Sequence, residues 1–220
     1  MTLLRPEKTA AKDSGGRHNQ KMRTRQALVE AALSLVRAGR QPTIAEVAEA
    51  AFVSTATAYR YFPNPKSLWA DVMAHNEGLP GLPSMEKIFE GAPAEPVAQL
   101  EFVIGQLADR QFREEALWRG LLLAALERWF AQRAEPDQEP VPVRGDTRVR
   151  MAARALAPLE NRLPPPIYAK LVQAVTLVFG ADAMVILRDS CGLDLDEAKD
   201  VMQWSARALV RAALADAAGV

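Results

Sequence analysis

Apolar residues recur at three- and four-residue spacing along most of the chain, and the prolines fall between those stretches. Proline-free runs cover 7–41, 97–135, 143–157 and 167–220. Proline inside a helix costs about 3 kcal/mol, so runs without it that are rich in Ala, Leu, Arg and Glu predict helices. The first helix is expected over 24–38, with Leu28, Ala32, Leu35 and Val36 on one face and Gly39 as its stop. Further helices are expected over 95–111, 114–134, 147–157, 167–189 and 195–217, with loops at 77–93 and 135–146. Cys191-Gly192 marks the turn between the last two, and Asp194 is placed to cap the second. No alternating Val/Ile/Thr run is bounded by Asn-Gly or Asp-Gly, so no strand is expected. The pattern predicts an all-α chain.

The segment 43–62, TIAEVAEAAFVSTATAYRYF, is the most specific. Thr43 with Glu46 three residues on forms a capping box, and Ile44, Val47, Ala48 and Ala51 mark one apolar face of a short helix. Phe52-Val53 make a tight connection, and Ser54 caps a second short helix over 55–61. Two short helices joined this way read as a helix-turn-helix. Val53, Ala58 and Phe62 are expected to pack inward, leaving Thr55, Ala56, Thr57, Tyr59 and Arg60 outside. That face suits a DNA groove: Arg bonds guanine edges, Thr reaches base edges or a thymine methyl, and Tyr hydroxyls reach phosphates. An ordinary helical hairpin with Tyr and Arg on its surface has the same pattern.

Charge adds to this picture. The chain of 220 residues is formally neutral, with 27 basic and 27 acidic residues, but residues 1–75 hold 11 of the basic against 6 of the acidic. A basic front and an acidic remainder suit a polyanion-binding segment joined to something with another task, although such asymmetry also arises by chance. No apolar run reaches the length of a membrane span, and MTLLRPEKTA does not resemble a secretion signal. One cysteine, Cys191, fits a reducing cytoplasm. With only His18 and His75 beside it, the usual zinc patterns are excluded, as is any Cys-His or Ser-His constellation with partners to spare, and no metal or cofactor is expected.

Residues 24–75 resemble the N-terminal domain of the TetR (tetracycline repressor) family. The stretches that carry the likeness are TRQALVEAALSLVRAG, TIAEVAEAAFVS and TATAYRYFPNPKSLWADVM. The tail LVFGADAMVILRDSCGLDLDEAKDVMQWSARALVRAAL resembles the last two helices of many members, whereas 77–165 carries no such likeness. Residues 1–22, polar and basic with Gly15-Gly16 among them, are expected to form a flexible arm. The resemblance implies a three-helix DNA-binding domain with the helix-turn-helix over 23–75, and a helical ligand-binding and dimerisation bundle over 76–220. It implies a bacterial cytoplasmic homodimer that binds a double-stranded DNA operator and answers a small-molecule effector, with no membrane partner. Thr55, Ala56, Thr57, Tyr59 and Arg60 would face bases, with Thr43, Ser54, Tyr61 and Lys66 near phosphates. The chain departs from the family at Phe52, where glycine is usual, at Thr55-Ala56, where Lys-Gly is common, and at Pro65, where a phosphate-binding Lys is frequent.

In the remainder, Leu171, Val175, Val178 and Ala181, then Val201, Trp204 and Ala208, recur at helical spacing beside small residues such as Gly180. They suit a two-fold four-helix interface or, equally by pattern, one protomer's core. Gly180 inside a helix would mark a close crossing. Phe102, Gln106, Phe112, Trp118, Leu122, Trp129, Phe130 and Phe179 are candidates to line an effector cavity, although an aromatic stripe at this spacing is also plain core. Cys191 is a structural thiol or a redox sensor. Two other classes stay open: a helical protein-interaction adaptor, which leaves the capped basic helix-turn-helix unexplained, and an all-α enzyme, for which no Glu-x-x-His or glycine-rich phosphate loop is present.

Overall fold

The computed structural model describes residues 14–74, 83–134 and 143–219. Every regular element among them is a helix: α1 (Ser14–Arg37), α2 (Ile44–Ala50), α3 (Thr55–Tyr61), α4 (Pro65–Ala74), α5 (Met85–Phe89), α6 (Pro96–Arg113), α7 (Glu115–Ala134), α8 (Thr147–Leu156), α9 (Pro165–Leu177), α10 (Ala181–Asp189) and α11 (Leu195–Ala218), with a 3-10 turn at Ala157–Leu159. The fold class is all-α. Two compact units, Met1–Leu68 and Trp69–Val220, divide the chain inside α4.

In the first unit, α1 buries Leu28, Val29, Ala32, Leu33 and Val36 on one side, α2 buries Ile44, Val47 and Ala48, and Ala58, Phe62 and Leu68 are fully or nearly enclosed. Helix α1 packs on α2, and α2 on α3. Small Ala48 and Ala58 leave room for two helices of seven residues each to cross closely. Helix α1 starts at Ser14 rather than Thr24, so 14–22 are helical and not a loose arm. Gly16, expected to loosen this stretch, sits inside the helix with open space where a Cβ would lie. Residues 1–13 of that arm lie outside the described residues.

In the second unit α6 is central, packing on α11 and α8, while α11 also packs on α9. Leu100, Val103, Ile104, Leu107 and Ala108 form its buried stripe. Helix α11 answers with Ala198, Met202, Ala206, Val210 and Ala213, mostly small, so the two backbones approach closely. At Gly105 an added Cβ would lie 3.3 Å from Gln203 Nε2. Polar pairs fix the register of this crossing: Gln203 Nε2 donates to the Glu101 carbonyl at 2.8 Å, Lys199 Nζ to Asp109 Oδ1 at 2.7 Å, and Arg207 to Glu101.

Two expectations need correction here. The segment read as a loop over 77–93 contains α5, capped by Ser84, whose Ile88 and Phe89 enter the core; 77–82 lie outside the described residues, as do 135–142 of the other loop. The helix expected over 167–189 is two helices bent by 49°. Gly180 is not inside a helix but caps α10 at φ +98°, a conformation open to glycine and almost closed to other residues. A Cβ there would sit 2.4 Å from Arg148 Cδ. Arg148 crosses the break, donates to the Phe179 carbonyl at 3.0 Å and pairs with Asp182 at 2.8 Å, while Arg144 holds Asp182 at 2.7 Å. Among the described residues no single helix is long and apolar enough to cross a membrane.

Candidate nucleic-acid interface

Local chemistry builds the first unit's exposed edge. The first helix ends in a Schellman turn: Gly39, at φ +77°, donates to the Val36 carbonyl and Arg40 to that of Leu35. Thr43 then caps α2. Its hydroxyl accepts from the Glu46 N–H at 3.3 Å, and Glu46 Oε2 accepts from the Thr43 N–H at 2.8 Å. The bond from the Thr43 N–H, a second from the Thr43 hydroxyl to the same oxygen at 2.9 Å, and the nearby Arg40 guanidinium hold the Glu46 carboxyl below its usual range. Ser54 opens α3, its hydroxyl accepting from the Thr57 N–H at 3.2 Å and lying 2.8 Å from the Thr57 hydroxyl. Asn64 caps α4 in the same way, taking the Ser67 N–H at 2.8 Å, with Pro65 as the first helical residue.

These caps fix what α3 presents. Ala58 and Phe62 point inward, while Thr55, Ala56, Tyr59 (46% exposed) and Arg60 are on the outside. Val53 is half-buried, a looser packing than expected. Thr57 is also half-buried, and its hydroxyl is shared with Ser54. The Arg60 guanidinium lies 5.9 Å from the centre of the half-buried Tyr61 ring, and Lys66 is exposed near the start of α4. The edge therefore carries a guanidinium, a phenol, a methyl-bearing stripe and a flanking ammonium on two capped helices. This is an inventory suited to base edges and phosphates.

The crystal structure of a TetR transcriptional regulator from Rhodococcus sp. RHA1 superposes on this chain with a TM-score of 0.58 at 18% identity, covering 87% of this chain and 97% of that one. The chain has the TetR fold. No family profile and no curated protein matches the sequence. At 87% of the chain, the likeness reaches beyond the two segments that carried the sequence resemblance.

Within the TetR-like helical unit the other candidate residues fall into different surroundings. Phe179 is fully enclosed in the core, Phe102 and Trp118 are partly buried against it, and Leu122 is half-buried. Gln106 is exposed, and Trp129 stacks edge-on to exposed Phe130 at 5.0 Å with Arg133 over its ring. Of the residues expected at an interface, Leu171, Val175 and Ala181 are consumed by the protomer's own core, Val178 and Ala208 are half-buried, and Gly180 lies under Arg148. Only Val201 and Trp204 (57% exposed) present large apolar side chains to solvent. Cys191 is exposed. Gln111 was not singled out from the sequence. It is 2% exposed, and its Oε1, like Trp118 Nε1, is enclosed without a protein hydrogen-bond partner. Its place on the apolar stripe of α6 was the available signal. Among the described residues no group of His, Cys, Asp and Glu is arranged to hold a metal ion.

Proposed function

We propose that the protein is a DNA-binding transcriptional regulator that acts as a cytoplasmic homodimer, represses from a palindromic operator and is released by a small-molecule effector. The observation that carries this reading is the capped α3, which turns Thr55, Ala56, Tyr59 and Arg60 outward, on a chain with the TetR fold. Residues 23–75 read DNA and 76–220 hold the effector and the partner protomer, with no cofactor or metal and no chemical step. Two recognition helices must stand about 34–36 Å apart to enter successive major grooves. An effector that binds better to a dimer with its heads out of register releases DNA by as much as its differential affinity.

The effector is assigned to the α6–α7 region around Phe102, Trp118 and Leu122. Gln111 Oε1 on α6 and Trp118 Nε1 on α7 are an enclosed acceptor and an enclosed donor without protein partners, and they support a largely apolar effector that carries one donor and one acceptor. The test is selection of duplexes from a random pool, titration of the winner at several salt concentrations, and a screen for compounds that abolish binding. Selective binding that falls steeply with salt is expected. Absence of any selected duplex would overturn the reading. It would favour a helical adaptor, for which exposed Leu126, Trp129 and Phe130 on α7 offer a docking stripe.

A further inference from the structure

Helix α2 ends in the same Schellman turn as α1: Phe52 donates to the Glu49 carbonyl at 3.1 Å and Val53 to the Ala48 carbonyl at 3.0 Å. That turn forces its central residue into the left-handed region, and Phe52 sits there at φ +56°. Among the described residues every other positive φ belongs to glycine: Gly39, Gly91, Gly180, Gly192 and Gly219. An aromatic side chain in this region is an outlier, because its Cβ crowds the adjoining carbonyl. Phe52 is also 97% exposed, so the ring gains nothing from burial in its own protomer. The backbone conformation is unfavourable for this residue, and no burial of the ring offsets it. Such a residue at an otherwise well-capped turn points to a contact made outside the protein.

The turn's position says what that contact is. Phe52 precedes Thr55, the first residue of α3, by three residues, a span of at most about 11 Å of chain. A major groove is about 12 Å wide, so a helix inserted there brings the ring within reach of the same groove. An uncharged aromatic finds few apolar partners on a duplex, and the C5-methyl of thymine is the one displayed in the major groove. Resting on the DNA-binding reading above, we propose that Phe52 is a specificity-determining residue that packs on a thymine methyl group of the operator beside the recognition helix.

The experiment begins with the wild-type full-length protein and a duplex selected from a random pool. Each thymine of that duplex is replaced in turn by uracil, which removes only the methyl group. Wild type should lose about fourfold at one or two positions. Phe52→Gly and Phe52→Asn, both compatible with a left-handed turn, should bind the unsubstituted duplex about tenfold more weakly. They should be indifferent to uracil at those positions and keep the wild-type salt slope, because no phosphate contact is lost. Neither should melt at a lower temperature than wild type. If wild type selects no duplex, this proposal falls together with the DNA-binding reading. If it selects one but both variants bind it as tightly as wild type, or keep the same uracil sensitivity, the Phe52 contact is wrong and the DNA-binding reading stands.

Discussion

Arg60 and Lys66 are both exposed cations, but one lies in the last turn of α3, the proposed recognition helix, and the other follows Pro65 at the start of α4, and that separates what each can reach. A guanidinium in the groove reads guanine bidentately, so Arg60→Ala should cost about 1–3 kcal/mol on operator and flatten preference at one base pair. Lys66→Ala should weaken all duplexes alike and lower the salt slope by about one. Titrating both variants against operator, single-base changes and random DNA distinguishes the two effects. Equal weakening of every sequence by Arg60→Ala would make it a backbone contact. Gln111 makes the opposite kind of prediction. A buried amide oxygen without a partner destabilises by about 1–3 kcal/mol, so Gln111→Met should raise the melting temperature while blunting the effector response. The caps were legible because a hydroxyl three residues before Glu46, or before Thr57, is chemistry that a short window contains. Burial of Gln111 was not, because it depends on which helices close over α6.

At the scale of elements, the α9–α10 break rests on one glycine and one arginine. Gly180→Ala places a methyl group against Arg148 and forces φ +98° on a residue with a side chain. A loss of about 2–3 kcal/mol is expected, readable as a melting temperature lowered by roughly 5–10 °C. In an Arg148→Ala background the same change should cost less, because the steric part is gone while the backbone strain stays. The break was invisible in the sequence, since a glycine amid apolar residues at helical spacing has the same letters whether it packs in a helix or stops one. Asp182, in the first turn of α10, adds a pH signature. Burial pushes its carboxyl up, but the hydrogen bond from Arg144 and the charges of Arg148 and Arg144 outweigh that and hold it below its usual value. A depressed carboxyl stabilises the fold above its unfolded value of about 3.9, and that contribution disappears as pH falls through the lower folded value. Asp182→Asn should therefore melt lower than wild type at neutral pH, with the gap closing below about pH 4. A gap that persists in acid would mean that packing, not charge, is what Asp182 supplies.

At the scale of the whole molecule, the all-helical architecture was legible because prolines mark six of the ten junctions between successive α-helices and leave the long runs between them free, whereas the ownership of apolar faces was not. Leu171 and Val175, four apart, and Val201 and Trp204, three apart, are both at helical spacing, yet the first pair completes the protomer's core and the second stays in water. Periodicity reports that a face is buried, not by which chain. Exposure narrows the proposed dimer surface to the Val201–Trp204 side of α11, with half-buried Ala208 one turn further on. Trp204→Glu is the direct test, because a residue already in solvent can carry a charge without disturbing the core beneath it. The variant should keep wild-type helicity and melt cooperatively, but sediment as a monomer at concentrations where wild type is a dimer. Its DNA binding should change in a defined way. One reading head contacts one half-site, so affinity for the palindrome should fall by orders of magnitude toward that for an isolated half-site. The salt slope should drop to about half, since half the phosphates are engaged. A Trp204→Glu protein that remains a dimer would move the two-fold interface off α11, and the exposed Leu126 and Phe130 of α7 would be the next surface to charge.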